Sequence, residues 1–476
     1  MSLDLLKKIS FYSVVVLILL FGFLIRLKML LDNPSFWFDE SCLGFNVLSL
    51  SYLDFFKPIH LQQVAPPLFM IVSKFFVKIF GQSDLILRLF PFIIGNLTML
   101  MFLLVLKQNF SNKLTICLSL LLFCFNVQAI KFSVEFKPYI VEMFSTCLIL
   151  YVFTKLNWNY SYKKLALIGT GLAIIPWFAF VSAGMLTAAF LLKFSKKYYK
   201  KWIILVTPFA VSLIGLILYY LNIKSVYNDF MTHFFLDSFF NFKEFFVQFI
   251  VVFNFLFNIS LAIIPTFLFC CGVIYCFVKK QHVFILKFSF LVFLGYIICS
   301  FLKIYPFYDR FTLFLFPLIL LIIMSIFDKI FELKNKFLIV LVFLTGFILL
   351  RPLAVFAQIA FFVKYDKYSC ARELFDDMSE RIKPTDVIVI DTLSSPDFLY
   401  YNFYHNLKNK IYTNIQIKDG LFQYSINRDD PMPFDKELDK FIFLSWPSHD
   451  YSLIKADYKN ICPVNYGAIL YMKKEK

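Results

Sequence analysis

The stretch APPLFMIVSKFFVKIFG (Ala65 to Gly81) decides how the whole chain is laid out. It is short, begins with a Pro-Pro pair after Ala65, and carries Lys74 and Lys78. If it crosses a membrane, the loop KQNFSNK (Lys107 to Lys113) and every later lysine cluster face outward. If it lies along the surface as an amphipathic helix, the same clusters face inward, as the positive-inside rule requires. The second layout is adopted, and 65–81 reads as a juxtamembrane helix.

The rest of the chain makes that choice meaningful. Of 476 residues, 60% are hydrophobic and 16% charged, against about 45–50% apolar and about 25% charged in soluble domains. Runs of about 20 apolar residues recur, each able to cross a hydrocarbon layer of about 30 Å. This is the composition of an all-α polytopic membrane protein. With Lys7 and Lys8 inside, eleven spans follow at about 9–31, 84–106, 114–133, 138–155, 164–178, 180–194, 202–222, 259–278, 283–303, 311–327 and 337–358. The groups Lys155/Lys163/Lys164, Lys193/Lys196/Lys197/Lys200/Lys201, Lys279/Lys280 and Lys329/Lys334/Lys336 all then fall inside. The net charge of +16 is spread over these loops, so it marks membrane topology and not a nucleic-acid surface. The first run has no small-residue cleavage site and reads as a retained span.

The outside receives the loop 32–83, a turn near Glu135, an amphipathic loop at about 223–258, and the tail. Residues 1–363 form the membrane domain and 364–476 a small extracytoplasmic α/β domain. In the tail, DVIVIDT (Asp386 to Thr392), FIFLSW (Phe441 to Trp446) and AILYMK (Ala468 to Lys473) read as buried strands, and CARELFDDMSERI (Cys370 to Ile382) has helical spacing. At about 110 residues it is large enough for its own core. Most of the ten cysteines lie in apolar runs, with no paired CxxC pattern, and read as small core residues. Cys370 and Cys462 are the pair available for a disulfide in an oxidising compartment. GTG (Gly169 to Gly171) lies in an apolar run and reads as helix packing, not a nucleotide loop.

Removing the inside lysines leaves four polar groups at the outer ends of the spans. They are Asp39 and Glu40 in NPSFWFDESCLGF (Asn33 to Phe45), and His60 with Gln62 and Gln63. Glu135 and Lys137 follow in SVEFKPY (Ser133 to Tyr139), then Lys303, Asp309 and Arg310 in KIYPFYDRFTLFLFP (Lys303 to Pro317). Charges at mid-membrane cost about 2.5–3.5 kcal/mol and face protein or a water-filled cavity. One such residue alone is readily an interfacial anchor. Four groups on one face, mixing acids with bases, point to chemistry.

Sugar transfer from a lipid-linked phosphate needs such a set. The leaving group is already a phosphate anion, so no general acid is required. A carboxylate must take the proton of the acceptor hydroxyl, which makes Asp39 or Glu40 the candidate base. Cations must hold the phosphate as charge builds on it, a role for Arg310, Lys137 and Lys303. Direct displacement with one base inverts the anomeric centre.

At this point the motifs resemble a known family. WFDES resembles the acidic motif in the first external loop of GT-C membrane glycosyltransferases related to protein O-mannosyltransferases and aminoarabinose transferases (families 39 and 83). HLQQVAPPLF (His60 to Phe69) is similar to the family's His-x-Pro-Pro-Leu segment, with His60 displaced. SVEFKPY is similar to its Glu-x-Arg-x-Tyr turn, with Lys137 in the Arg place, and YDRFTLFLFP to its Glu-Arg-Tyr then Pro, with Asp309 and Phe311 as departures. The resemblance runs over about residues 10–360. It implies a helical GT-C bundle with juxtamembrane helices, a polyprenyl-phosphate sugar donor (undecaprenyl in a bacterium), and a cavity open to the periplasm or exterior of an inner membrane. It implies that Asp39 is the catalytic acid residue with Glu40 second, and that Glu135, His60, Tyr139 and Tyr308 orient or bind substrates. No cofactor is required, and a divalent metal gathered by Asp39, Glu40 and Glu135 is the less favoured option, since no His/Glu spacing marks a zinc site.

The expected partners are the lipid-linked donor, the bilayer and an acceptor lipid, glycan or protein, with no nucleic acid. The rival readings are a secondary transporter or flippase of lipid-linked sugars, which should show repeats and broken midplane helices, and a non-catalytic envelope-complex subunit.

Overall fold

The computed structural model describes residues 3–224, 234–236, 242–258, 263–333, 342, 346, 371–384, 387–390 and 394–408, and beyond these the backbone of six further strands. Five helical segments among the described residues are long and apolar enough to cross a membrane: Ser10–Asp32, Asp84–Asn109, Lys196–Ile223, Val283–Phe301 and Asp309–Leu333. Shorter apolar helices lie at Lys113–Cys124, Ser182–Leu192, Phe246–Phe257 and Ile263–Lys279. The chain is a multi-pass integral membrane protein. The last expected span, 337–358, lies outside the described residues apart from two positions, as do Cys370 and Cys462.

In chain order the first helices are α1 (Leu3–Asp32), α2 (Phe38–Ser49), α3 (Pro67–Phe80), α4 (Asp84–Asn109), α5 (Lys113–Cys124), α6 (Val127–Phe132) and α7 (Tyr139–Lys155). The decisive stretch forms α3, whose 14 residues extend about 21 Å, short of the hydrocarbon thickness. Pro67 starts it and Gly81, at φ 89°, ends it. The expected single span at 114–133 is broken. α5 stops at Cys124, and Asn126 caps α6 by accepting from the Ala129 N–H at 2.9 Å while donating to the Leu256 carbonyl at 2.6 Å. The pair at 164–194 is two helices, α8 (Tyr162–Ile174) and α9 (Ser182–Leu192), separated by a 3-10 turn at Ile175–Trp177. Gly169 lets α8 approach α10 (Tyr199–Ile223), since a Cβ there would stand 2.3 Å from the Leu205 carbonyl oxygen.

The chain divides into two compact units. One holds residues 1–30, 91–221 and 228–362 and is helical among the described residues. Its helix Phe316–Leu333 is buried from Phe316 to Ser325 and opens to the surface at its C-terminal end. The other holds 31–90, 222–227 and 363–476. It contains α2, α3, the helices Ala371–Arg381 and Ser395–His405, and seven strands. The strands β1 (Val387–Ile390), β2 (Lys410–Tyr412), β5 (Lys440–Leu444), β6 (Asp457–Asn460) and β7 (Ala468–Met472) form one sheet in the order β2-β1-β5-β7-β6. β1 runs parallel to β2 and β5, with helix Ser395–His405 in the β1–β2 crossover, while β7 is antiparallel to β5 and β6. β3 (Ile415–Lys418) and β4 (Leu421–Tyr424) make a hairpin.

Candidate active site

The acidic motif begins a helix. Trp37 precedes α2, and its carbonyl accepts from the Glu40 N–H at 2.9 Å and the Ser41 N–H at 3.0 Å. Asp39 and Glu40 therefore stand in the first turn, where a negative charge is favoured by the helix dipole. Their fates differ. Asp39 is half-buried, whereas Glu40 is buried and ion-paired with Arg88 of α4. Arg88 donates from Nε to Glu40 Oε1 at 2.9 Å and from Nη2 to Oε2 at 2.6 Å, a two-pronged fork. Its Nη1 donates to the Pro34 carbonyl at 2.6 Å, and its guanidinium lies 4.7 Å from the Phe36 ring. Glu40, second candidate for the base, is thus committed to holding α2 against α4. Arg88 was not among the residues singled out by motif, although Asp84 and Arg88 in DLILR are an i,i+4 pair at the head of a span, a readable signal.

The remainder of α2 is held as firmly. Asn46, fully buried, accepts from the His60 N–H at 2.7 Å and donates to the His60 carbonyl at 3.0 Å and to the Cys42 carbonyl at 2.8 Å. This clamp keeps Leu61 and Gln62 at φ 61° and 52°, left-handed values that non-glycine residues rarely adopt. The Lys74 ammonium donates to the Val47 carbonyl at 2.7 Å, at the C-terminal end of α2 where a cation is favoured. His60 itself is buried beside Phe45, and burial lowers its pKa. Its backbone, then, has a defined job in supporting α2.

Glu135, Lys137, Tyr139, Lys303, Tyr308 and Arg310 belong to the other unit. Glu135 and Lys137 are buried in the turn between α6 and α7, where the Lys137 N–H donates to the Glu135 carbonyl at 2.7 Å. Arg26 of α1 fastens this turn. Its Nε donates to Ser133 Oγ at 3.1 Å, and its Nη1 to the Cys124 carbonyl at 2.8 Å. Cys124 ends α5 and Ser133 follows α6, so two helix C-termini face this buried cation. Tyr139 meets Phe311 edge-on at 5.6 Å, and the Arg310 guanidinium lies 6.0 Å from the Tyr139 ring. Arg310, Tyr139 and the Glu135–Lys137 turn are brought together through the start of α7. Lys303 turns elsewhere: its ammonium donates to the Leu236 carbonyl at 3.1 Å. Tyr308 packs on Phe234 at 5.2 Å. Sequence reading missed Glu142, buried in the first turn of α7, whose Oε1 accepts from Tyr305 Oη at 2.8 Å.

Backbone strain concentrates in the same segments. Nine non-glycine residues among those described have positive φ, and five of them are Asn33, Leu61, Gln62, Lys303 and Asp309. All five fall in the motif stretches, and the other four, Asn258, Lys280, His282 and Asn406, lie outside them.

No protein-family model and no curated protein sequence matches the chain. Among solved structures, it is similar to the S. cerevisiae protein O-mannosyltransferase Pmt1-Pmt2 complex bound to the sugar donor, at 19% identity over 45% of this chain and 34% of that one, with a TM-score of 0.35. It is also similar to the Archaeoglobus fulgidus oligosaccharyltransferase in complex with Zn and sulfate, at 12% identity over 83% of this chain and 62% of that one, TM-score 0.44. A third similarity is to the oligosaccharyltransferase AglB of the same organism with an inhibitory peptide and a dolichol-phosphate, at 12% identity, 83% and 64% coverage and TM-score 0.45. This chain therefore spans less than two thirds of each of these proteins.

Proposed function

We propose that the protein transfers a sugar from a polyprenyl-phosphate donor to an acceptor hydroxyl or phosphate at the outer face of the membrane, with inversion at the anomeric carbon. The observation that carries this reading is the division of labour between the paired acids. Glu40 is ion-paired with Arg88, and Asp39 next to it stays half-exposed on the helix start that this pair anchors.

In this scheme Asp39 takes the proton of the acceptor hydroxyl. The freed oxygen forms a bond to the anomeric carbon as the bond from that carbon to the phosphate oxygen breaks. The electron pair leaves with the polyprenyl phosphate, whose added charge is met by Arg310 and Lys137. Arg310 suits the task because its planar fork donates two parallel hydrogen bonds. Lys303 assists only if its ammonium leaves the Leu236 carbonyl. Glu135, His60, Tyr139 and Tyr308 orient substrates or the groups that touch them. The positive charge comes from side chains, and the scheme calls for no metal.

The wider reading has eleven spans, an inner-membrane location with active site and tail facing the periplasm or exterior, and the tail as an α/β domain contributing to acceptor choice. A binding assay with a polyprenyl monophosphate tests the donor side. Wild type should bind it, and Arg310→Ala should bind it more weakly. Equal binding by both would reduce the charged groups to an interfacial girdle and favour the transporter or scaffold readings.

A further inference from the structure

Far from the acidic motif in sequence, but in the same unit, the helices Ala371–Arg381 and Ser395–His405 reach back to it. Their meeting point is Asp84, the first residue of α4, which is 5% exposed. Its Oδ1 accepts from Tyr400 Oη at 2.9 Å, and its Oδ2 from Tyr401 Oη at 3.0 Å and Arg372 Nε at 3.1 Å. Arg372 Nη2 stands 2.7 Å from Oδ2 as well, and donates to the Asn33 carbonyl at 2.9 Å. Tyr401 Oη in turn accepts from the Phe36 N–H at 3.0 Å. Ser35 hydrogen-bonds Glu373. Tyr400 stacks on Phe36 with ring centres 4.8 Å apart, and covers Gly44 so closely that a Cβ there would stand 2.6 Å from the ring. The β3–β4 hairpin also comes beside the His60–Gln62 turn.

We infer that Asp84, Arg372 and Tyr401 are positioning residues, through which the C-terminal part of the chain holds Asp39 in its working geometry; this rests on the transferase reading above. The segment Asn33–Phe36 enters the acidic helix, and two arginines grip it. Arg88 holds it through the Pro34 carbonyl and Arg372 through the Asn33 carbonyl. Glu40 is ion-paired with Arg88 and Asp84 with Arg372. None of the three positioning residues needs to touch substrate. Their effect reaches Asp39 through the backbone of 33–38 and the face of α2 under Tyr400. The tail is then a structural part of the active site, and the membrane domain by itself is an incomplete enzyme.

The test uses the full-length protein with Tyr401→Phe, which removes one hydroxyl and leaves the ring, and Arg372→Gln as a second variant should the first fail to fold. Three quantities are read: turnover with a polyprenyl-phosphate sugar, affinity for the polyprenyl monophosphate, and hydrogen exchange in peptides covering 33–49. Positioning predicts kcat lower by about 10- to 100-fold, unchanged lipid affinity, and faster exchange in 33–49. Arg372→Lys, which keeps the charge but not the fork, should recover part of the loss. Wild-type kcat in either folded variant overturns the inference, whether or not exchange quickens. So does a loss of lipid affinity that matches the loss of turnover. If wild type itself transfers no sugar, the transferase reading fails before any substitution is made, and the two failures cannot be confused.

Discussion

Arg88 holds Glu40 by two parallel hydrogen bonds, at 2.9 and 2.6 Å, in a place where each side chain is 2% exposed. Forty-eight residues separate them in sequence. The pair ties the start of the acidic helix to the head of the second long span, and of two neighbouring carboxylates it fixes Glu40 while Asp39 stays half-buried.

Breaking that pair from one side should be costly. Arg88→Met leaves a carboxylate buried without its counter-charge, and should lower the unfolding free energy by about 3–5 kcal/mol. Replacing both partners by apolar residues, Arg88→Met with Glu40→Met, should recover most of the loss. Denaturant unfolding of the purified protein across this double-mutant cycle checks it; additive losses would contradict the pairing.

The Asn46 clamp makes a separate prediction. Asn46→Leu keeps the volume but strands the N–H and carbonyl of His60, each loss costing about 1–3 kcal/mol. It also releases the strained Leu61–Gln62 backbone. Thermal unfolding should fall, and proteolysis near residues 60–63 should quicken. A melting curve like that of wild type would show that the clamp has no weight.

Arg26 should behave as a pin. Arg26→Met removes the donor to the Cys124 carbonyl and to Ser133, at a cost of about 1–3 kcal/mol. Arg26→Lys should restore only part, because an ammonium lacks the planar fork. Melting temperatures of the two variants beside wild type decide the point.

Acid should weaken the loop through His60. Burial lowers its pKa in the folded protein, so the unfolded chain takes up the proton first. The contribution is fully present above the unfolded value of about 6.5 and is lost as pH falls through that value toward the lower folded one. Asp54, held at about 2 chiefly by its hydrogen bond from Ser51, loses its contribution at more acid pH, below its ordinary value of about 3.9. Melting temperature between neutral and mildly acid pH should fall in wild type and fall less in His60→Gln.

What the sequence made legible was periodic or local. Hydropathy located most of the long apolar helices but not Phe242–Phe257, which falls in the stretch read as a loop, and Lys74 and Lys78 marked α3 as different from the spans around it. The four motif stretches were visible because charges stand out against apolar runs, and strained backbone lies in three of them. The break after Cys124 was hidden, since the run TICLSLLLFCFNVQAIKF reads as continuous, and only burial shows Asn126 capping a new helix. Pairings across long separations were hidden too. Glu40 looked like a second candidate base because nothing local tells that its partner is Arg88, and Asp84 meets Arg372 across 288 residues.

Whether Asp39 is the base is tested most directly by turnover of a labelled polyprenyl-phosphate sugar by wild type and by Asp39→Asn, with binding of the polyprenyl monophosphate measured in the same preparations. Binding should be equal, and turnover lower by about 10²- to 10⁴-fold in Asp39→Asn, the usual loss when a general base is removed. Equal turnover in the two proteins would contradict it, as would a wild type that binds the lipid and transfers nothing.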